Sequence, residues 1–168
     1  VPAELTGYFA AAASAAAALI GLLFVAVSLR PDSIFGPDAP SGGRNLAVSG
    51  FLALCNIFFV SITALVSRGA FDSAVIALAV IGLVSLIRLL RTRRQGGTNI
   101  VITALSAIAY LGELACGVWL ELHPGNRSAI ISDVVTITLF FFAIALARAW
   151  LLIQGKHLTE DQPHSRKS

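Results

Sequence analysis

Five stretches of this chain, at about 8–29, 46–67, 72–90, 100–121 and 130–153, run almost without a break through Ala, Val, Ile, Leu and Phe. Each is about 19 to 24 residues long, enough for a helix rising about 1.5 Å per residue to cross a hydrocarbon core of roughly 30 Å. Lipid offers backbone amides no partner, so a spanning segment must satisfy its own N–H and C=O groups, which it does as a helix. The runs therefore predict an all-α polytopic membrane bundle of five transmembrane helices over residues 1–155, followed by a polar tail at 156–168. Charged residues make up only 12% of the chain, about half the share of a soluble domain, and no length is left for a soluble catalytic unit. The opening "VPAELTGY" lacks the basic start of a signal peptide, so the first run is expected to stay in place as a span.

With five spans the connecting segments alternate between two sides. One side receives only Arg68 and Arg127; the other receives Arg30, Arg44, Arg88, Arg91, Arg93, Arg94, Arg148, Lys156, Arg166 and Lys167. Basic residues are retained on the cytoplasmic side of an inserting chain, so this imbalance places the N-terminus outside and the C-terminus in the cytoplasm. A multi-pass protein of the cell inner membrane is the expected result, and the net charge of +3 calls for no nucleic-acid partner. The arginines of "IRLLRTRR" do not form a voltage sensor. Fifteen apolar or small residues precede Arg88, so the cluster sits at a helix end, where Arg91, Arg93 and Arg94 can reach lipid head groups.

The spans differ in what their faces carry. In the first, Gly7, Ala11, Ser14, Ala18, Gly21, Val25 and Ser28 recur at steps of four and three, a seam of small residues of the kind that lets a partner helix approach closely. In the second, Ser49, Asn56 and Thr63 stand seven apart. In the fourth, Thr103, Ser106, Tyr110, Glu113 and Gly117 again recur at steps of three and four. Glu113 is thus one member of a polar stripe. Counted from the cytoplasmic ends it lies about 20 Å deep and Asn56 about 15 Å deep, within reach of each other. A charged carboxylate at that depth costs several kcal/mol, so Glu113 is either a protonated hydrogen-bonding group or faces water or a cation. Near the outer end of the fifth span, Ser132 reads as a cap and Asp133 as a partner for Arg127. Arg148 is placed to snorkel or to bond neighbouring carbonyls. Tyr8 and Trp119 are expected at the outer boundary and Trp150 at the inner one.

No His lies within a span, which excludes a membrane-embedded haem with two His ligands. HExxH, P-loop and GxSxG motifs are absent, and a serine nucleophile would have no intramembrane His or Lys as base. Enzymatic activity is not expected, nor is a cofactor. Glu121 and His123 with Asp133 form too sparse a set for a metal. Cys55 and Cys116 lie in different spans at depths roughly 10 Å apart and read as small apolar packers.

The first span, "AAASAAAALIGLLFVAVSLR", resembles the opening of a group of small multi-span bacterial proteins in which a small-residue helix runs into a "GLLFVAVSL" ending, some of them described as modulators of a membrane protease. The resemblance covers about 20 of the 168 residues and implies a bacterial inner-membrane origin and a multi-helix fold. Two functions fit the residues. The stripes of spans two and four can line an ion or proton pathway in a small homo-oligomer, with Glu113 as its key group. Alternatively, they are glue in a non-catalytic partner or regulator of another membrane protein. The orientation is directly testable: a periplasm-active reporter fused to the N-terminus and a cytoplasm-active reporter fused to the C-terminus should both be functional, and activity of one reporter type at both ends would refute an odd number of spans.

Overall fold

The computed structural model describes residues 3–29, 41–66, 69–92, 100–123, 125 and 127–154. Five helices account for nearly all of them: α1 (Ala3–Ser28), α2 (Ser41–Val66), α3 (Phe71–Thr92), α4 (Ile100–Leu122) and α5 (Arg127–Gln154). All five are long and apolar enough to cross a membrane. Helices α1, α2 and α5 begin three to five residues ahead of their apolar runs. Apolarity marks the depth of hydrocarbon, whereas the intrahelical hydrogen bonds continue into the head-group layer. Polar residues at the ends suit the helix dipole: Glu4 stands in the first turn of α1, and α3 carries Asp72 in its first turn and Arg91 in its last. The polar tail 156–168, Arg93 and Arg94 lie outside the described residues; Arg91 is exposed on the last turn of α3.

Helices α2, α3, α4 and α5 form a closed ring in chain order, each packed on the next and α5 packed back on α2, while α1 lies outside the ring against α2. Across the ring, among the described residues, no Cα pair of α2 and α4 or of α3 and α5 comes within 8 Å. We call the end of the bundle where α1 begins the N face and the other end the C face. Two apolar layers fill the interior. One contains Ala53, Leu54, Ile57, Tyr110, Phe141 and Ile144. The other, toward the N face, contains Phe9, Val60, Phe71, Val75, Leu120 and Val134. Large apolar side chains such as Phe24, Ile108, Leu111, Phe140 and Leu146 point outward, as a bilayer-facing surface requires.

The small-residue seam of α1 is not its packing face within the chain. Gly7, Ala11, Ser14, Ala18 and Gly21 are all exposed, and α1 instead buries Phe9, Ala12, Ala13 and Ala16. At about 100° per residue these two sets lie on opposite sides of the helix. Alanine occupies both sides, so side-chain size could not choose between them. The choice is made by Phe9, whose ring meets Phe71 edge to face at 6.1 Å, and by Tyr8, whose hydroxyl donates to the Val135 carbonyl at 3.2 Å.

Close approach occurs instead around α3. The Tyr110 ring lies directly on Gly82, where a methyl group would overlap it, and Gly117 meets Ile76, whose Cγ1 would be 2.7 Å from an added Cβ. By contrast, nothing stands within 4 Å of a Cβ placed at Gly21. Gly82→Ala should therefore lower stability by about 1–3 kcal/mol through overpacking, whereas Gly21→Ala should be neutral or raise it by up to about 1 kcal/mol through helix propensity. Thermal unfolding of the two variants in detergent checks this, and equal effects would refute the assignment of faces.

Candidate functional site

The polar stripes converge inside the ring. Glu113 is 2% exposed, and the Asn56 amide Nδ2 donates to its Oε2 at 2.9 Å, so the second and fourth spans do meet through these two side chains. By register the pair sits between the two apolar layers, since Ile57 and Tyr110 belong to one and Val60 and Leu120 to the other. The meeting is purely a side-chain contact, because α2 and α4 face each other across the ring. Ser106, Tyr110 and Gly117 share the buried face of α4 with Glu113.

Toward the C face the stripe reaches Arg148, which is 4% exposed. Its Nη1 donates to the Ser49 carbonyl at 2.7 Å and its Nη2 to Ser106 Oγ at 2.6 Å. Ser106 Oγ donates in turn to the Ile102 carbonyl at 2.6 Å. One guanidinium thus ties α5 to both α2 and α4. Of the two options open to it, Arg148 takes carbonyl bonding. Along α4, Tyr110 stands between Ser106, which meets Arg148, and Glu113, and its ring is 4.7 Å from that of Phe141. Ser49 and Asn56 are buried, and Thr63 and Thr103 are half-buried. The Thr63 hydroxyl donates to the Phe59 carbonyl at 2.6 Å within its own helix.

At the N face Arg127 forms a two-pronged ion pair with Asp72, Nη1 to Oδ2 at 2.8 Å and Nη2 to Oδ1 at 2.7 Å. This corrects the expected Arg127–Asp133 pair. Asp133 is six residues further along the same helix, about 240° around from Arg127, and is exposed. Ser132 is not a cap either: α5 begins at Arg127, and Ser132 Oγ donates to the Ser128 carbonyl one turn back at 3.2 Å. Trp119 and Trp150 are exposed, and His123 lies flat on Trp119 with ring centroids 4.3 Å apart. Among the described residues no three His, Cys, Asp or Glu side chains converge as a metal site would need. Cys55 and Cys116 are free and half-buried.

Two members of this arrangement were not singled out as site residues from sequence. Arg148 could have been, because Val134, Thr138, Phe141, Ala145 and Arg148 recur at steps of four and three and are all buried; the arginine simply continues the inward face of α5. Asp72 carries no such periodic signal. Ser61 is wholly buried, with no hydrogen-bond partner for its hydroxyl among the described residues, and at about 140° from Asn56 around α2 it does not join the Glu113 face. No family model, curated protein or solved structure matches the chain.

The Asn56–Glu113 bond should register as a favourable coupling. In a cycle of Asn56→Leu, Glu113→Leu and the double variant, the double variant should be less destabilised than the sum of the singles by about 1 kcal/mol. Strict additivity in detergent unfolding would show that the bond contributes nothing.

Proposed function

We propose that this chain is a small oligomeric membrane protein that forms an ion or proton pathway along the polar faces of α2 and α4, with Glu113 as the exchanging group. The reading is carried by one observation: a buried polar track runs from Arg148 and Ser106 near the C face, past Tyr110, to the Asn56–Glu113 pair in mid-membrane. An intramembrane carboxyl group is expensive and is kept where it has a task. Of the two cargoes the proton fits better, since Ile57, Tyr110 and Phe141 share the core beside the pair and such packing suits hopping between hydrogen-bonding groups rather than passage of a hydrated ion. Toward the N face the track meets the apolar layer of Phe9, Val60, Phe71, Val75, Leu120 and Val134, which acts as the barrier between Glu113 and the other side. The charge imbalance of the loops supports an orientation with the C face in the cytoplasm of a bacterial cell.

A second reading is supported by α1. Its Gly7 to Gly21 face is turned away from the bundle, which suits a non-catalytic regulator that packs this face against another membrane protein.

The two readings differ on one substitution. Glu113→Gln preserves shape and hydrogen bonding but cannot titrate. In proteoliposomes it should fold as the wild type does and abolish proton flux under an imposed gradient. If the wild type moves no H⁺, Na⁺, K⁺ or Cl⁻ under any gradient or voltage, the pathway reading fails and the regulator reading stands.

A further inference from the structure

Near the C face, α2 and α3 part around a small cleft. Val48 and Leu52 line it from α2, Ser85 and Leu86 from α3, and Tyr110 and Arg148 close it from α4 and α5. Its volume is about 30 Å³, room for one water molecule and little else. We infer that the cleft is a hydration site, in which a single ordered water is held between the hydroxyls of Tyr110 and Ser85 at the C-face end of the polar track.

The hydroxyls carry the inference. Elsewhere in the bundle Thr63, Ser106, Thr136 and Thr138 turn their hydroxyls back onto carbonyls of their own helices. Ser85 and Tyr110 do not, and neither hydroxyl has a hydrogen-bond partner among the described residues. Tyr110 is only 4% exposed, and its ring is held against Gly82, which is itself part of the cleft wall. A hydroxyl buried among apolar groups without a partner is costly. Ser and Thr can relieve that cost by bonding back to their own helix, which the longer tyrosine cannot. A buried water needs roughly two to four polar partners, and two hydroxyls facing one small space offer it both donors and acceptors. Ser49 also lines the cleft; its Oγ donates to the Leu46 carbonyl at 3.2 Å and keeps lone pairs that can accept a third bond. The Arg148 guanidinium on the wall disfavours a cation, and the volume excludes a lipid head group or a hydrated ion. In the proposed pathway this water is where the C-face solvent meets the track, a role that rests on that reading; the site itself does not.

Hydroxyl-radical footprinting of the full chain in lipid nanodiscs tests the site, because radicals formed from a bound water oxidise the side chain beside it. Tyr110 should be oxidised several-fold faster than Phe141, which is 1% exposed and has its ring 4.7 Å away but does not line the cleft. Ser85→Val, which fills the space and removes one hydroxyl, should bring Tyr110 down to the Phe141 rate, whereas Glu113→Gln should leave Tyr110 oxidation unchanged. Thermal unfolding in detergent gives an independent reading. Tyr110→Phe should unfold at or below the wild-type midpoint, since its hydroxyl is bonded to water; were that hydroxyl dry, removing it would raise the midpoint by several degrees. Equal oxidation of Tyr110 and Phe141, a raised midpoint for Tyr110→Phe, or a midpoint that depends on chloride, which would assign the space to an anion, overturns the hydration site. For the role in the pathway, Ser85→Val should slow proton flux several-fold in proteoliposomes, and full flux after Tyr110 oxidation is lost overturns that role. A wild type without flux overturns the pathway reading and the role together, while the footprint still decides the site.

Discussion

The hydrogen bond between Asn56 and Glu113 sets the geometry of the ring. Among the described residues helices α2 and α4 have no close backbone contact to orient them towards each other, so this bond, with the Arg148 bridge and shared core side chains, relates their rotations. Its net worth is only about 1 kcal/mol, but leaving a carboxyl group unmatched at that depth costs several. The bond therefore acts as a constraint more than as a source of stability. Once Glu113 points inward, helical spacing brings Ser106, Tyr110 and Gly117 inward with it. Ser106 then meets Arg148, Tyr110 lies against Gly82, and Gly117 lets α4 approach α3 at Ile76.

Apolar packing and polar bonding divide the work between the sides and the diagonals of the ring. Adjacent helices pack directly, as in any bundle. The α2–α4 diagonal is tied by Asn56 and Glu113 in mid-membrane, and the α3–α5 diagonal by Asp72 and Arg127 at the N face. Between helices in hydrocarbon there is no hydrophobic drive toward one particular arrangement. Directional bonds at different depths select one rotation of each helix where apolar side chains alone would permit several. Arg148 adds a third tie near the C face, reaching α2 and α4 together.

What the sequence disclosed follows from the physics of each feature. The five helices were legible because the bilayer imposes a length on apolar runs. The Asn56–Glu113 meeting was legible because two polar groups at matched depths in lipid have few other partners. The packing face of α1 was not, since alanine on both sides leaves the decision to Phe9 and Phe71, residues more than sixty positions apart in the chain. The Asp72–Arg127 pair was hidden for the same reason: a local partner at Asp133 was on offer, and only the ring order brings the start of α3 to the start of α5. Features that repeat along one helix were visible, whereas those decided by which helices adjoin were not.

The same magnitudes locate the barrier in the proposed pathway. For Glu113 to exchange a proton it must loosen its bond to Asn56, and interhelical bonds of this kind are worth about 0.6 kcal/mol on average and seldom more than about 1.7. The bond itself is therefore weak, and the larger cost is leaving the carboxyl group without a partner, so water or another polar group must replace Asn56 as it opens. Carrying a charge onward through the layer of Phe9, Val60, Phe71, Val75, Leu120 and Val134 costs several kcal/mol unless water or polar groups enter it. In the proposed pathway that layer would be the main barrier on the N-face side, and the Asn56–Glu113 pair the place where a proton would wait.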